Sequence, residues 1–134
     1  MAKKRRKANL KNPRSTTWRN RADALWRTLV RARWGGLCAI CGQPGRDAHH
    51  LIRRDVGAYR HHPDNGVFLC ALHHLFCPRT SAHGSPLNFA DKLAARHPGT
   101  YAWWNEHRFG LPEGKPDYRA AAERLEELLK EMAE

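Results

Sequence analysis

The chain is 134 residues long, one domain's worth, and its 24 Lys and Arg against 13 Asp and Glu give a net charge of +11 and a pI near 10.2. No apolar run is long enough for a membrane helix, and the basic start Lys3-Lys4-Arg5-Arg6-Lys7 leads into no apolar stretch, so neither a membrane protein nor a secreted scaffold is expected. The charge excess points to a polyanionic partner, nucleic acid first, and four cysteines beside nine histidines in a non-secreted chain point to metal rather than disulfides.

The charge is graded along the chain. Residues 1–60 carry 16 Lys and Arg against 3 acids, whereas residues 113–134 carry 4 against 7. Residues 1–15 are basic, polar and poor in large apolar groups, which predicts a disordered arm ahead of a single domain over 16–134. A first helix is expected from about Thr17 to Trp34, capped by Thr16 or Thr17 and ended by Gly35-Gly36. Its face Trp18, Ala22, Leu25, Trp26, Leu29 and Val30 has helical spacing and reads as core. Arg19, Arg27, Arg31 and Arg33 surround that face with one acid, Asp23, so they cannot all be paired.

Residues 37–84, rich in Cys, His, Gly and Pro, form the expected central part, with short strands at Ala48–Ile52 and Gly66–Leu69. A short helix should start near Cys70 and stop at Pro78. The C-terminal part, from residue 85, should be helical. Ser85-Pro86 opens a helix to about Arg96 with Ser85 as N-cap, and Thr100 caps another through His107. The last helix, from Asp117, carries Tyr118, Ala121, Ala122, Leu125, Leu128, Leu129 and Met132 in 3-4 spacing. That stripe can pack on the domain or form a dimer; a monomer or weak dimer is expected.

Cys38-x-x-Cys41 lies in a Gly- and Pro-rich turn, and Cys70-x-x-His73 follows it at a strand-to-helix junction. Two such pairs can close a tetrahedron around a structural Zn²⁺, with Cys77 as the alternative fourth ligand to His73. Between the pairs runs the strand-like Asp47-Ala48-His49-His50-Leu51-Ile52, followed by Asn65 and, beyond the second pair, by His74. Adjacent strand residues point to opposite sides, so His49 and His50 serve different surroundings.

The order His49-His50, Asn65, His74 interleaved with zinc-type pairs resembles the HNH nuclease family with its ββα-metal finger, particularly its small phage- and prophage-associated members. The resemblance covers about residues 37–90. His73 stands where many members have Cys, and Ala82-His83-Gly84-Ser85-Pro86-Leu87-Asn88-Phe89 looks like a stretch that trails the finger in some of them. It implies a small α+β fold, a zinc-stapled finger between a basic N-terminal helix and C-terminal helices. It further implies a DNA endonuclease, with His50 as general base and Asn65 bracing the loop and orienting the base. His49 and His74, with His83 as a third ligand, would hold one catalytic divalent ion, Mn²⁺, Ni²⁺, Mg²⁺, Co²⁺ or Zn²⁺. Arg53, Arg54 and Arg60 lie in the loop where a phosphate would approach, and His61 and His62 read as incidental loop residues. The implied partner is double-stranded DNA and the implied location cytoplasmic, in a bacterium or a phage-infected host. The rival reading is a non-catalytic zinc-containing module that binds nucleic acid.

Overall fold

A computed structural model describes residues 8–134. The chain is a mixed α+β fold in the order α1 (Thr16–Arg33), β1 (Asp47–His50), α2 (Gly57–Arg60), β2 (Gly66–Leu69), a π-turn (Leu72–Phe76), α3 (Pro86–Arg96), α4 (Pro98–His107) and α5 (Tyr118–Ala133). No helix among the described residues is long and apolar enough to cross a membrane.

The two strands pair antiparallel, with Asp47 opposite Leu69 and His50 opposite Gly66. All four residues of β2 are buried, because the strand separates two cores and its alternate side chains enter each. Phe68 joins Trp18, Ala22, Trp26, Leu29 and Val30 of α1 and Tyr118, Ala122 and Leu125 of α5. Val67 and Leu69 join Ile40 of the cysteine turn, Leu51, and Phe89 and Leu93 of α3. The Trp-bearing face of α1 is therefore core, and the α5 stripe packs on α1, with Met132 left exposed beyond it. Glycine is required at position 66, where a Cβ would lie 2.5 Å from Val30 and 2.7 Å from the Trp26 indole. α1 can approach the sheet only because that side chain is missing.

Several local expectations are corrected. Residues 8–15 are not a loose arm: Trp18 Nε1 donates to the Leu10 carbonyl at 3.0 Å, Arg119 N donates to the Pro13 carbonyl at 3.0 Å, and Ser15 Oγ donates to the Asn9 carbonyl at 2.6 Å. Asn, Pro and Ser turn chemistry ties this segment across α1 and α5; residues 1–7 of the expected arm lie outside the described residues. Ser15, not Thr16 or Thr17, caps α1 by accepting from Trp18 N. Ser85 sits at the N-cap position of α3, but its hydroxyl donates to the Pro78 carbonyl and caps nothing. Pro98, at the first turn of α4, starts that helix before Thr100. β1 ends at His50, since Ile52 N is taken by the Asn65 side chain. The segment after Cys70 is one π-turn rather than an α-helical piece, with Cys77 N bonded to the Leu72 carbonyl.

Candidate metal centres and the histidine cleft

The cysteine turn closes by Cys38 N donating to Gln43 O at 2.7 Å and Gly42 N donating to Cys38 O at 2.9 Å, with Gly42 in the left-handed region at φ 73°. Ala39 N and Arg46 N bond to the carbonyls of Phe68 and Leu69, which anchors the turn beside the C-terminal end of β2, where Cys70 follows. His97, at the α3–α4 junction, clasps the turn from outside through Nε2 and the Ala39 carbonyl at 2.9 Å.

Cys38, Cys41, Cys70 and His73 converge there, their ligand atoms all within 4.8 Å of one another. Cys41 and Cys70 Sγ are 3.8 Å apart, and His73 Nδ1 is 3.8 Å from Cys38 Sγ and 3.2 Å from Cys70 Sγ. Sulfurs on a tetrahedral Zn²⁺ at about 2.3 Å would be about 3.8 Å apart, so the donor set and spacing fit zinc. The group can hold a zinc ion. Burial, with the positive charges of Lys92 and Arg96, lowers the His73 pKa and favours the neutral ring a metal requires. Cys77 stands outside the group; its thiol accepts from the Thr80 hydroxyl at 3.2 Å.

A second convergence joins His49 of β1, His74 of the π-turn and His83 from the loop before α3, again within 4.8 Å. His74 Nδ1 meets Asp47 Oδ2 at 3.0 Å, and His74 Nε2 meets His83 Nε2 at 3.1 Å. A ring that donates Nδ1–H to a carboxylate carries its lone pair on Nε2, the arrangement by which carboxylates orient metal-bound histidines. Asp47 escaped sequence reasoning as a site residue, although its place two residues before His49 puts both on one face of β1. Its carboxyl lies below the usual range, first through the Arg46 hydrogen bond and then through His74. Burial, reinforced by the charges of His74, His83 and His50, pulls the His49 pKa down to about 3, so the ring is neutral at physiological pH.

His50 points to the other side of β1. Its ring lies on the Trp26 indole, centroids 3.8 Å apart and planes 6° from parallel, and its Nε2 is 2.9 Å from the Arg60 carbonyl. A carbonyl only accepts, so Nε2 donates and Nδ1 is left with the lone pair. Burial lowers the His50 pKa to about 4, although the bond to Arg60 works in the opposite direction. Asn65, fully buried, makes no hydrogen bond to His50. Its Oδ1 accepts from Ile52 N at 2.6 Å and its Nδ2 donates to the carbonyls of Ile52 and Tyr59 at 2.9 and 3.0 Å, which pins the loop that presents the Arg60 carbonyl.

Arg60 itself is not a free phosphate contact. Its guanidinium makes two 2.8 Å bonds to the two oxygens of Asp23 in α1. His61 is not incidental either: it is buried and its Nε2 lies 2.6 Å from Asp23 Oδ1. Asp23 is thereby the hub that fastens the loop to α1. Burial alone would raise its pKa, but the bonds and charges of Arg60 and His61 hold it far below the usual carboxylate range. Nothing in the sequence pairs residue 23 with residues 60 and 61, which meet only after the loop folds back. Arg53 pairs with Asp55 at 3.2 Å on the surface, and Arg54 has no carboxylate partner among the described residues.

Ala48, His49, His50, Arg53, Arg54, His74, His83 and Trp104 help line one open cavity of about 550 Å³. The cleft thus combines three histidines that could hold a metal ion, a fourth, His50, with a fixed tautomer, and cationic walls. No protein-family model, curated protein or solved structure matches the chain.

Proposed function

We propose that the protein is a metal-dependent DNA endonuclease of the HNH type, its cysteine turn, hairpin and π-turn forming a zinc-stapled ββα-metal finger. The observation that carries this reading is the pairing, within one cleft, of the His49–His74–His83 group with His50 as a separate, neutral, hydrogen-bonded imidazole. A structural zinc module has no need of the second group.

In this account His50 takes a proton from the attacking water at Nδ1, the nitrogen that its bond to Arg60 leaves with a lone pair. Trp26 and the Arg60 carbonyl fix the plane and tautomer of that ring, and Asn65 holds the loop that supplies the carbonyl. His49, His74 and His83 would hold a divalent ion, which when bound supplies positive charge at the scissile phosphate and the leaving oxygen. Asp47 orients His74 for that role. Arg53 and Arg54 offer charge to the phosphates at the cleft wall.

The rival, a non-catalytic zinc-containing nucleic-acid-binding module, draws on one observation: stacked on Trp26 and bonded to a carbonyl, His50 is placed as a structural histidine would be. Incubation of supercoiled plasmid with Mn²⁺, Ni²⁺, Co²⁺, Zn²⁺ or Mg²⁺, with and without chelator, separates the two. Imidazole ligands suit the first four better than oxygen-preferring Mg²⁺, so cleavage in Mn²⁺ or Ni²⁺ should at least equal that in Mg²⁺. Plasmid left intact by every ion would favour the rival.

A further inference from the structure

A second concavity, of about 720 Å³, lies between α1 and β1 and is lined by Arg27 and Arg31 of α1, Gly45, Asp47, Phe68 and His74, among others. It adjoins the histidine cleft. Ala48 and His74 line both, and Ala48 also lines a smaller recess that joins Arg27 to His50 and Arg54.

The charge in this groove is uncompensated. Arg27 and Arg31 are exposed, and neither has a carboxylate partner among the described residues. Asp47 is the acid that lines the groove, and its Oδ2 is engaged by Arg46 at 2.7 Å and by His74 at 3.0 Å, so it neutralises neither α1 arginine. The two arginines are one helical turn apart, about 6 Å along the α1 axis, the scale of one step between consecutive phosphates on a nucleic-acid strand. A chain of phosphates finds here two forked guanidinium donors one helical turn apart.

We propose that the groove between α1 and β1 is a second binding site for the DNA backbone, in which Arg27 and Arg31 hold phosphates on the strand that continues past Ala48 into the histidine cleft. The inference rests on the DNA-cleaving reading for the identity of the ligand, but it assigns α1 a role that reading does not need. The N-terminal helix then serves both sides of the strand's path: Trp26 and Asp23 secure His50 and its loop, and Arg27 and Arg31 secure the substrate next to it.

The test is titration of a short DNA duplex, without added divalent ion, over a range of salt concentrations. It compares the parent, Arg27→Ala/Arg31→Ala, and the charge-matched control Arg124→Ala/Lys130→Ala on α5. Both groove residues are exposed, so zinc content and thermal unfolding should match the parent. Affinity should fall about tenfold to a hundredfold near 0.1 M salt, and the salt slope should become shallower by about two, one for each lost phosphate contact. Arg27→Lys/Arg31→Lys should keep most of the slope, and the α5 control should stay close to the parent. Unchanged affinity and slope in Arg27→Ala/Arg31→Ala, or an equal loss in the control, would overturn the proposal. The two readings fail separately. A parent that cuts no plasmid but shows the predicted change of slope keeps the groove and loses the nuclease. A parent that cuts while the slope stays fixed keeps the nuclease and loses the groove.

Discussion

The Arg60 carbonyl, 2.9 Å from His50 Nε2, is held in place by the residue's own side chain, whose guanidinium grips both oxygens of Asp23. One residue thus connects the histidine of the cleft to the first helix, and the backbone position that fixes the His50 tautomer depends on an ion pair with α1. The Trp26 indole, one turn beyond Asp23, forms the other half of the seat.

Trp26 should therefore matter to both stability and turnover. Trp26→Phe keeps a ring beneath His50 but loses the Nε1 bond to the His62 carbonyl, made at 3.1 Å, and should cost about 1–2 kcal/mol in urea unfolding. Trp26→Leu also opens space in a fully buried site and should cost about 3 kcal/mol. In the nuclease account, Trp26→Leu lowers kcat more than it raises KM. A proportionate change in both, or none, would show that the stacked ring does not position His50.

Acid should weaken the fold in two steps. Burial holds His49 and His50 at about 3 and 4, while the same rings titrate near about 6.5 when unfolded. Below pH 6.5 the unfolded chain therefore binds more protons, and stability falls with pH until the folded-state values are reached. Asp23 acts lower down. Its depressed pKa stabilises the fold fully above the unfolded value near 4 and is lost as pH falls below it. Urea midpoints at a series of pH values should show His50→Gln with a shallower decline between pH 6.5 and 4. Asp23→Ala should be weaker by about 3 kcal/mol at pH 7, because Arg60 is left partly buried without its partner. That gap should narrow below pH 4. Parallel curves for parent and variants would contradict these assignments.

Zinc should be inseparable from the fold of the central part. Cys38→Ser removes a buried thiolate from a group that anchors the turn, β2 and the π-turn together, and should lose both zinc and cooperative unfolding. Metal analysis of the purified protein with its unfolding curve checks this. A variant that keeps one zinc and the parental curve would point to a different ligand set, as would a well-folded parent without zinc.

Spacing made part of this legible. Cys38, Cys41, Cys70 and His73 meet as the paired intervals imply, and the 3-4 pattern of α5 finds its partner in the Trp face of α1. Alternation along β1 separates His50, stacked on Trp26, from His49, which meets His74 and His83. What remained hidden depends on distant segments folding together. Asp23 faces Arg60 and His61 across 37 and 38 residues, and no local pattern marks that encounter. Arg60, one of the three loop arginines expected to meet a phosphate, is therefore spoken for, while Arg27 and Arg31, one turn apart on an ordinary-looking helix face, are not. Residues 8–15 misled by composition alone, since their order comes from backbone carbonyls offered to Trp18 and Arg119.

The central claim is that the histidine cleft cuts DNA, and plasmid cleavage in Mn²⁺ by the parent and His50→Ala, side by side, tests it most directly. His50→Ala removes the proposed base and neither metal group, so zinc content and DNA affinity should persist while the cleavage rate falls by about two to four orders of magnitude. His74→Ala should be equally slow but should also lose its second metal ion. A parent that leaves the plasmid intact, or a His50→Ala variant that cuts at the parental rate, would contradict the account.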